Sequence, residues 1–283
     1  MNKIGFNVLA WSAVMSEELF PIMDRLKEIG YDGVEFFVGS PDESVYKRIG
    51  DHARAIDLEV STVMLLGAGE NPVDPSPKIR EKGLDKLKWC IDRSQELQSQ
   101  QICGPFHSAF STFAQRAPEE DEYSRSAEVL YKAGEYAAQA GILLIPEAVN
   151  RFECYLCNTM EQLAHLVHKV GHSHVKAMFD THHANIEEKS FKNAIQFVAP
   201  ILSHVHISEN DRGTPGSGHI PFDEVFAELA QVKYNGWLTI EGFTRNDPDF
   251  ANSIGVWREF SKPWDMAEKG YEFIKNMGQK YGL

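Results

Sequence analysis

Four acidic or imidazole side chains each close a short apolar run in the second half of the sequence: Glu147 after GILLIP, Asp180 after VKAMF, His206 after SHV and Glu241 after WLTI. They are 33, 26 and 35 residues apart. Each run reads as a buried parallel strand, and each gap matches one strand–helix unit, so the four side chains are expected to emerge side by side at one end of a barrel. Three carboxylates and an imidazole gathered there repel one another unless a cation sits among them. Oxygen-rich donors with a single imidazole suit a divalent ion, Mn²⁺ first, with Co²⁺ or Mg²⁺ as alternatives.

The elements that must position these residues alternate along the chain. Strand patterns at 3–9, 33–37, 59–64, 101–106, 141–147, 174–180, 203–208 and 237–241 are each followed by an amphipathic helix, the last near 264–280. Thr159-Met-Glu-Gln162 fits a capping box, and Gly30, Gly141 and Gly171 stand where left-handed residues end helices. Eight such units predict a single-domain (β/α)8 TIM barrel spanning 1–283, and no GxGxxG follows the first strand to support a dinucleotide fold. The stretches 67–75, 107–118, 209–221 and 242–263 are long and follow strands 3, 4, 7 and 8. They therefore lie on the face where barrel enzymes bind substrate.

A net charge of −13 across 283 residues, without a Lys/Arg-rich run, argues against nucleic acid as a partner. No apolar stretch approaches membrane-spanning length, and MNKIGFNVLAWS lacks a signal-peptide core, so a cytoplasmic protein is expected. Cys90, Cys103, Cys154 and Cys157 are too few for a disulfide scaffold, and the lone Cys154-x-x-Cys157 pair reads as ordinary thiols. His204 shares a strand face with His206 but lies one pair deeper, as a packed or supporting histidine would. His182 alternates away from His183 if the strand continues. Gly213, Gly216 and Gly218 read as turn glycines in preference to a phosphate cradle.

The segments IPEAVNRFE (145–153), MFDTHHANIEE (178–188), HVHISENDRGTPGSGH (204–219) and TIEGF (239–243), with KIGF, GPFHSAF and VWREFS, resemble the ketose 3-epimerases of the D-tagatose/D-psicose 3-epimerase group within the xylose-isomerase-like superfamily. The resemblance implies that Glu147, Asp180, His206 and Glu241 ligate the metal, with Glu147 and Glu241 also the acid/base pair. It implies that Glu153, His183 and Arg212 touch substrate hydroxyls, and that Phe6 and Phe243 form apolar walls. Leu66, Gly67, Phe106, His107 and Phe113 occupy the stretch that shapes the far end of the sugar pocket. Homodimers or homotetramers are also implied.

The chemistry fits that resemblance on its own terms. Inverting the carbon beside a ketone removes a proton from one face and returns one to the other, so two acid/base groups must flank the substrate. A divalent cation stabilises the cis-enediolate formed between these steps. The sequence thus predicts epimerisation of a free ketose at C3. An aldose–ketose isomerase using the same groups is the nearest alternative, with an abasic-site endonuclease and a non-catalytic sugar-binding barrel more remote.

Overall fold

The computed structural model describes residues 2–283. Eight strands form one sheet: β1 Lys3–Asn7, β2 Gly33–Phe37, β3 Glu59–Val63, β4 Gln101–Gly104, β5 Leu143–Pro146, β6 Ala177–Asp180, β7 Leu202–Ile207 and β8 Trp237–Ile240. The pairing order is β5-β4-β3-β2-β1-β8-β7-β6, with every pair parallel. An isolated parallel bridge, Leu144 to Val175, brings the two edge strands together. The result is the expected (β/α)8 barrel.

Between the strands run α1 Phe20–Ile29, α2 Ser44–Ala55, α3 Pro77–Glu96, α4 Glu120–Ala140, α5 Met160–Val170, α6 Thr181–Glu187, α7 Phe191–Val198, α8 Phe222–Gln231, α9 Pro248–Ser253 and α10 Pro263–Tyr281. Local chemistry sets the ends. Proline in the first turn of α3, α9 and α10 costs no helical hydrogen bond, because the N–H groups there have no intrahelical acceptor. The Thr159–Gln162 capping box starts α5, and Gly141 and Gly171 end α4 and α5 at φ 70 and 64°. Two short helices, α6 and α9, were not expected. Because β6 stops at Asp180 and α6 starts at Thr181, His182 and His183 do not alternate on a strand.

Strand alternation divides the interior into two kinds of space. Outward residues such as Ile4, Phe6, Val34 and Phe36 pack in a large apolar layer between sheet and helices. Inward positions include Asn7, Glu35, Ser61, His204 and His206, joined in a buried polar network, while Val63, Cys103, Ile145 and Met178 form a smaller apolar cluster with Phe243. The barrel is therefore polar where the candidate ligands stand. Cys90, Cys103, Cys154 and Cys157 are all free and buried.

Candidate metal centre

Glu147, Asp180, His206 and Glu241 converge as the sequence predicted, each offering a ligand atom within 4.8 Å of the others. All four are buried, with Asp180 and His206 at 1% and 0% exposure. His206 Nδ1 lies 3.5 Å from both Asp180 Oδ2 and Glu241 Oε1. The two oxygens of Asp180 divide their work: Oδ1 accepts from the backbone N–H of His182 (2.6 Å) and His183 (3.2 Å), capping α6, while Oδ2 faces the cluster. The side chain that closes β6 also starts the next helix.

The charges are held by environment. Burial pushes the Glu147 carboxyl well above its usual range, with Glu241 and Asp180 adding repulsion. Burial would also raise Asp180, but Arg212 and nearby imidazoles hold it well below. His206 is raised despite burial, because Glu241 and Glu35 favour its cationic form. Part of the expected repulsion is offset by Arg212, whose Nη1 donates to Asp180 Oδ2 (3.0 Å), Glu241 Oε2 (2.6 Å) and Ser208 Oγ (2.8 Å).

The donor set fits a divalent cation. Glu147 Oε1 and His206 Nδ1 are buried atoms with no hydrogen-bond partner among the described residues, which is costly unless something else engages them. His206 Nε2 is already committed, 2.8 Å from Glu35 Oε1, which leaves Nδ1 as the nitrogen available to a metal, in exchange for any proton it carries. Glu35 is the functional residue that the sequence reading missed. It is fully buried and also receives Ser61 Oγ (2.9 Å) and Asn7 Nδ2 (3.0 Å), with His204 Nε2 3.2 Å away. His204 is the supporting histidine expected, its Nδ1 2.8 Å from Gln101 Nε2.

A cavity of about 920 Å³ opens beside the cluster, lined by Glu147, Glu153, His183, Arg212, Glu241 and Phe243 among others. Asn150 donates its backbone N–H to His183 Nδ1 at 3.1 Å, so the ring proton belongs on Nε2. That N–H and Arg212 Nη2, 2.9 Å apart, are then both donors, with Glu147 Oε1 3.6 Å from the His183 nitrogen. Glu153 Oε1 is held by Asn150 Nδ2 at 2.8 Å, and the Phe243 ring packs beneath the Arg212 guanidinium.

Two residues expected at the sugar pocket, Phe6 as a wall and His107 at its far end, lie elsewhere. Phe6 faces the helix layer against Trp11 and Tyr31, because period-two alternation turns Gly5 and Asn7 inward. His107 is fully buried with its Nδ1 on Ser108 Oγ (3.1 Å), and Pro105, Phe110 and Ser111 line the cavity in its place. Leu66 and Phe106 are likewise buried, and Leu65 is the cavity neighbour. In the β7 loop, Gly216 N–H donates to the chain's own Glu209 and Gly213 N–H to Asp211 Oδ1 (2.9 Å).

The fold and this site define the class. The chain belongs to the xylose isomerase-like TIM-barrel family, which matches residues 23–277. Within it, the chain is 33% identical to D-psicose 3-epimerase from Ruminiclostridium cellulolyticum, covering 93% of this chain and 91% of that protein. It is 31% identical to L-ribulose 3-epimerase from Mesorhizobium japonicum, over 91% and 88% of the two. The crystal structure of D-allulose 3-epimerase from Methylomonas sp. in complex with D-allulose superposes with a TM-score of 0.91 at 27% identity, covering 98% and 97%. These relatives are named as ketose 3-epimerases, enzymes of the isomerase class.

Proposed function

We propose that this protein is a divalent-metal-dependent 3-epimerase of a free ketose, with Glu147 and Glu241 as its acid/base pair. The observation that carries the reading is that Glu147, whose Oε1 is an orphaned ligand atom, lines one cavity with two donors, His183 and Arg212, and belongs to the same cluster as the orphaned Nδ1 of His206. Four-ligand cations alone serve many reactions. Donors converging beside one serve a substrate that carries negative charge on oxygen during turnover.

Glu147, Asp180, His206 and Glu241 would hold the ion, Mn²⁺ in first place with Co²⁺ and Mg²⁺ as alternatives. When bound it would supply Lewis-acid stabilisation of charge developing on the sugar's oxygens. The chain's own groups do the rest. Glu147 and Glu241 remove and return a proton at C3 from opposite faces. Arg212 Nη2 and His183 Nε2–H donate to the oxygens flanking C3, Glu153 accepts a hydrogen bond from a substrate hydroxyl, and Phe243 supports the Arg212 plane. The sugars for which the relatives are named, D-psicose (D-allulose) and L-ribulose, support a free ketose here.

An aldose–ketose isomerase could use the same four ligands, and solvent isotope separates the two. Turnover of D-fructose, D-tagatose or L-ribulose in D₂O is expected to place deuterium at C3 of the product, whereas isomerisation labels C1 or C2. Glu147→Gln and Glu241→Gln each keep shape but remove one proton-transfer group, lowering epimerisation by roughly 10²- to 10⁴-fold. Label confined to C1 or C2, or near-wild-type epimerisation by either variant, overturns the assignment.

A further inference from the structure

The loop that carries Arg212 is built around a buried carboxylate with no cation on it among the described residues. Glu209 is fully buried, yet the nearby Arg212 guanidinium pairs with Asp180 and Glu241 instead. Among the described residues, the Glu209 carboxylate is met by backbone alone. Oε1 accepts from the N–H groups of Asn210 (3.0 Å), His219 (3.1 Å) and Ile220 (3.1 Å), and Oε2 from Gly216 (2.9 Å). Four N–H groups aimed at one point make an anion nest, the kind of concavity that holds phosphate in other barrels. Here the chain fills it with its own side chain.

The sequence is fitted to this arrangement. A Cβ on Gly218 would stand 2.6 Å from Glu209 Oε1 and 2.1 Å from Asn210 Oδ1, so only glycine lets the carboxylate reach the loop's far side. Gly216 donates from φ 83°, a conformation that side chains avoid. At the other end of the same turn, Arg212 itself sits at φ 63°. That left-handed backbone is held by two bonds, Arg212 N–H to Glu209 O (3.0 Å) and Phe243 N–H to Arg212 O (2.9 Å). A non-glycine residue persists there only where its surroundings fix it. It is this backbone that aims the guanidinium back at Asp180, Glu241 and His183.

We propose that Glu209 is a positioning residue: an internal anion that folds the 209–220 loop around itself and thereby holds Arg212 over the substrate. The inference rests on the proposed role of Arg212 for its effect on turnover, and on loop geometry alone for its effect on structure. Neutral Glu209→Gln keeps the size but turns one acceptor into an NH₂ donor. Whichever oxygen it replaces, that donor faces at least one backbone N–H.

Two readouts on the Mn²⁺-loaded protein test this. In hydrogen exchange, the amides of Arg212, Gly216, His219 and Ile220 are expected to exchange at least about tenfold faster in E209Q, with metal content unchanged. In kinetics with the best of D-fructose, D-tagatose and L-ribulose, E209Q is expected to lose kcat/KM by no more than Arg212→Ala does, about 10- to 150-fold. The double variant is expected to match Arg212→Ala alone within about twofold, because both changes remove the same contact. Fully additive losses, or wild-type exchange at these amides in E209Q, overturn the proposal. If the wild-type protein turns over no ketose, the epimerase reading fails separately, and exchange at the Arg212 amide still decides whether Glu209 holds that loop.

Discussion

Replacing Glu35 is expected to weaken metal binding although Glu35 is not a candidate ligand. Its Oε1 lies 2.8 Å from His206 Nε2, and the opposite nitrogen of that ring is the orphan that faces the cluster. Glu35→Gln preserves volume at a fully buried position but removes the charge that favours an N–H on Nε2. The new amide NH₂ would also meet donors, since Asn7 Nδ2 and Ser61 Oγ both point at this carboxyl. Removing such a partner of a ligating histidine typically costs about 10- to 100-fold in metal affinity, or roughly 1.4 to 2.7 kcal/mol. At a fixed excess of Mn²⁺ the metal-induced rise in Tm then shrinks by roughly 3 to 11 °C, taking about 2–4 °C per kcal/mol. Calorimetric titration of metal-free protein with Mn²⁺ measures affinity directly, and circular dichroism checks that the variant is folded before titration. A folded Glu35→Gln protein that binds Mn²⁺ as the wild type does would refute the reasoning.

Two further outcomes follow from the same geometry. Chelation is expected to abolish ketose turnover and lower Tm, with Mn²⁺ or Co²⁺ restoring both; full turnover by protein shown to be metal-free by elemental analysis would contradict the site. His107 is held neutral by burial, its pKa pushed down to about 4 from an ordinary 6.5. The unfolded chain therefore binds this proton first, so stability is intact above about pH 6.5 and falls as pH drops toward 4, by about 3 kcal/mol from this group. His107→Asn should flatten that part of a pH–stability curve measured by urea unfolding, and an unchanged slope would show that the titration lies elsewhere.

The strands and their order were legible because buried parallel strands leave short apolar runs and the intervening helices leave amphipathic ones. The four converging residues were legible because each stands at the end of such a run. Glu35 was not, because GVEFF reads as one more buried strand. The available signal was the charge itself, since an acidic residue in the middle of an apolar strand needs a buried partner. Phe6 was misplaced by resemblance where alternation alone would have assigned it outward, next to inward Asn7. Helix α6 was hidden because THH reads as more strand. Its start is set by Asp180, whose one oxygen caps it, and that double use is a three-dimensional fact. In α9, Asp247 followed by Pro248 was a readable start signal lost within a long loop.

To the sheet, β5 and β6 are the two ends, joined at Leu144 and Val175 through Leu144 N–H to His174 O (2.8 Å) and Lys176 N–H to Leu144 O (2.9 Å). To the site they are neighbours, because Glu147 leaves from one lip of that seam and Asp180 from the other. The place where the backbone ladder is thinnest is thus the place where two carboxylates have been set face to face. Any ion that draws Glu147 and Asp180 onto itself fastens the cylinder where its own hydrogen bonds do least. Loading of the site would thus reinforce, along this one seam, a closure that the backbone makes with only two bonds.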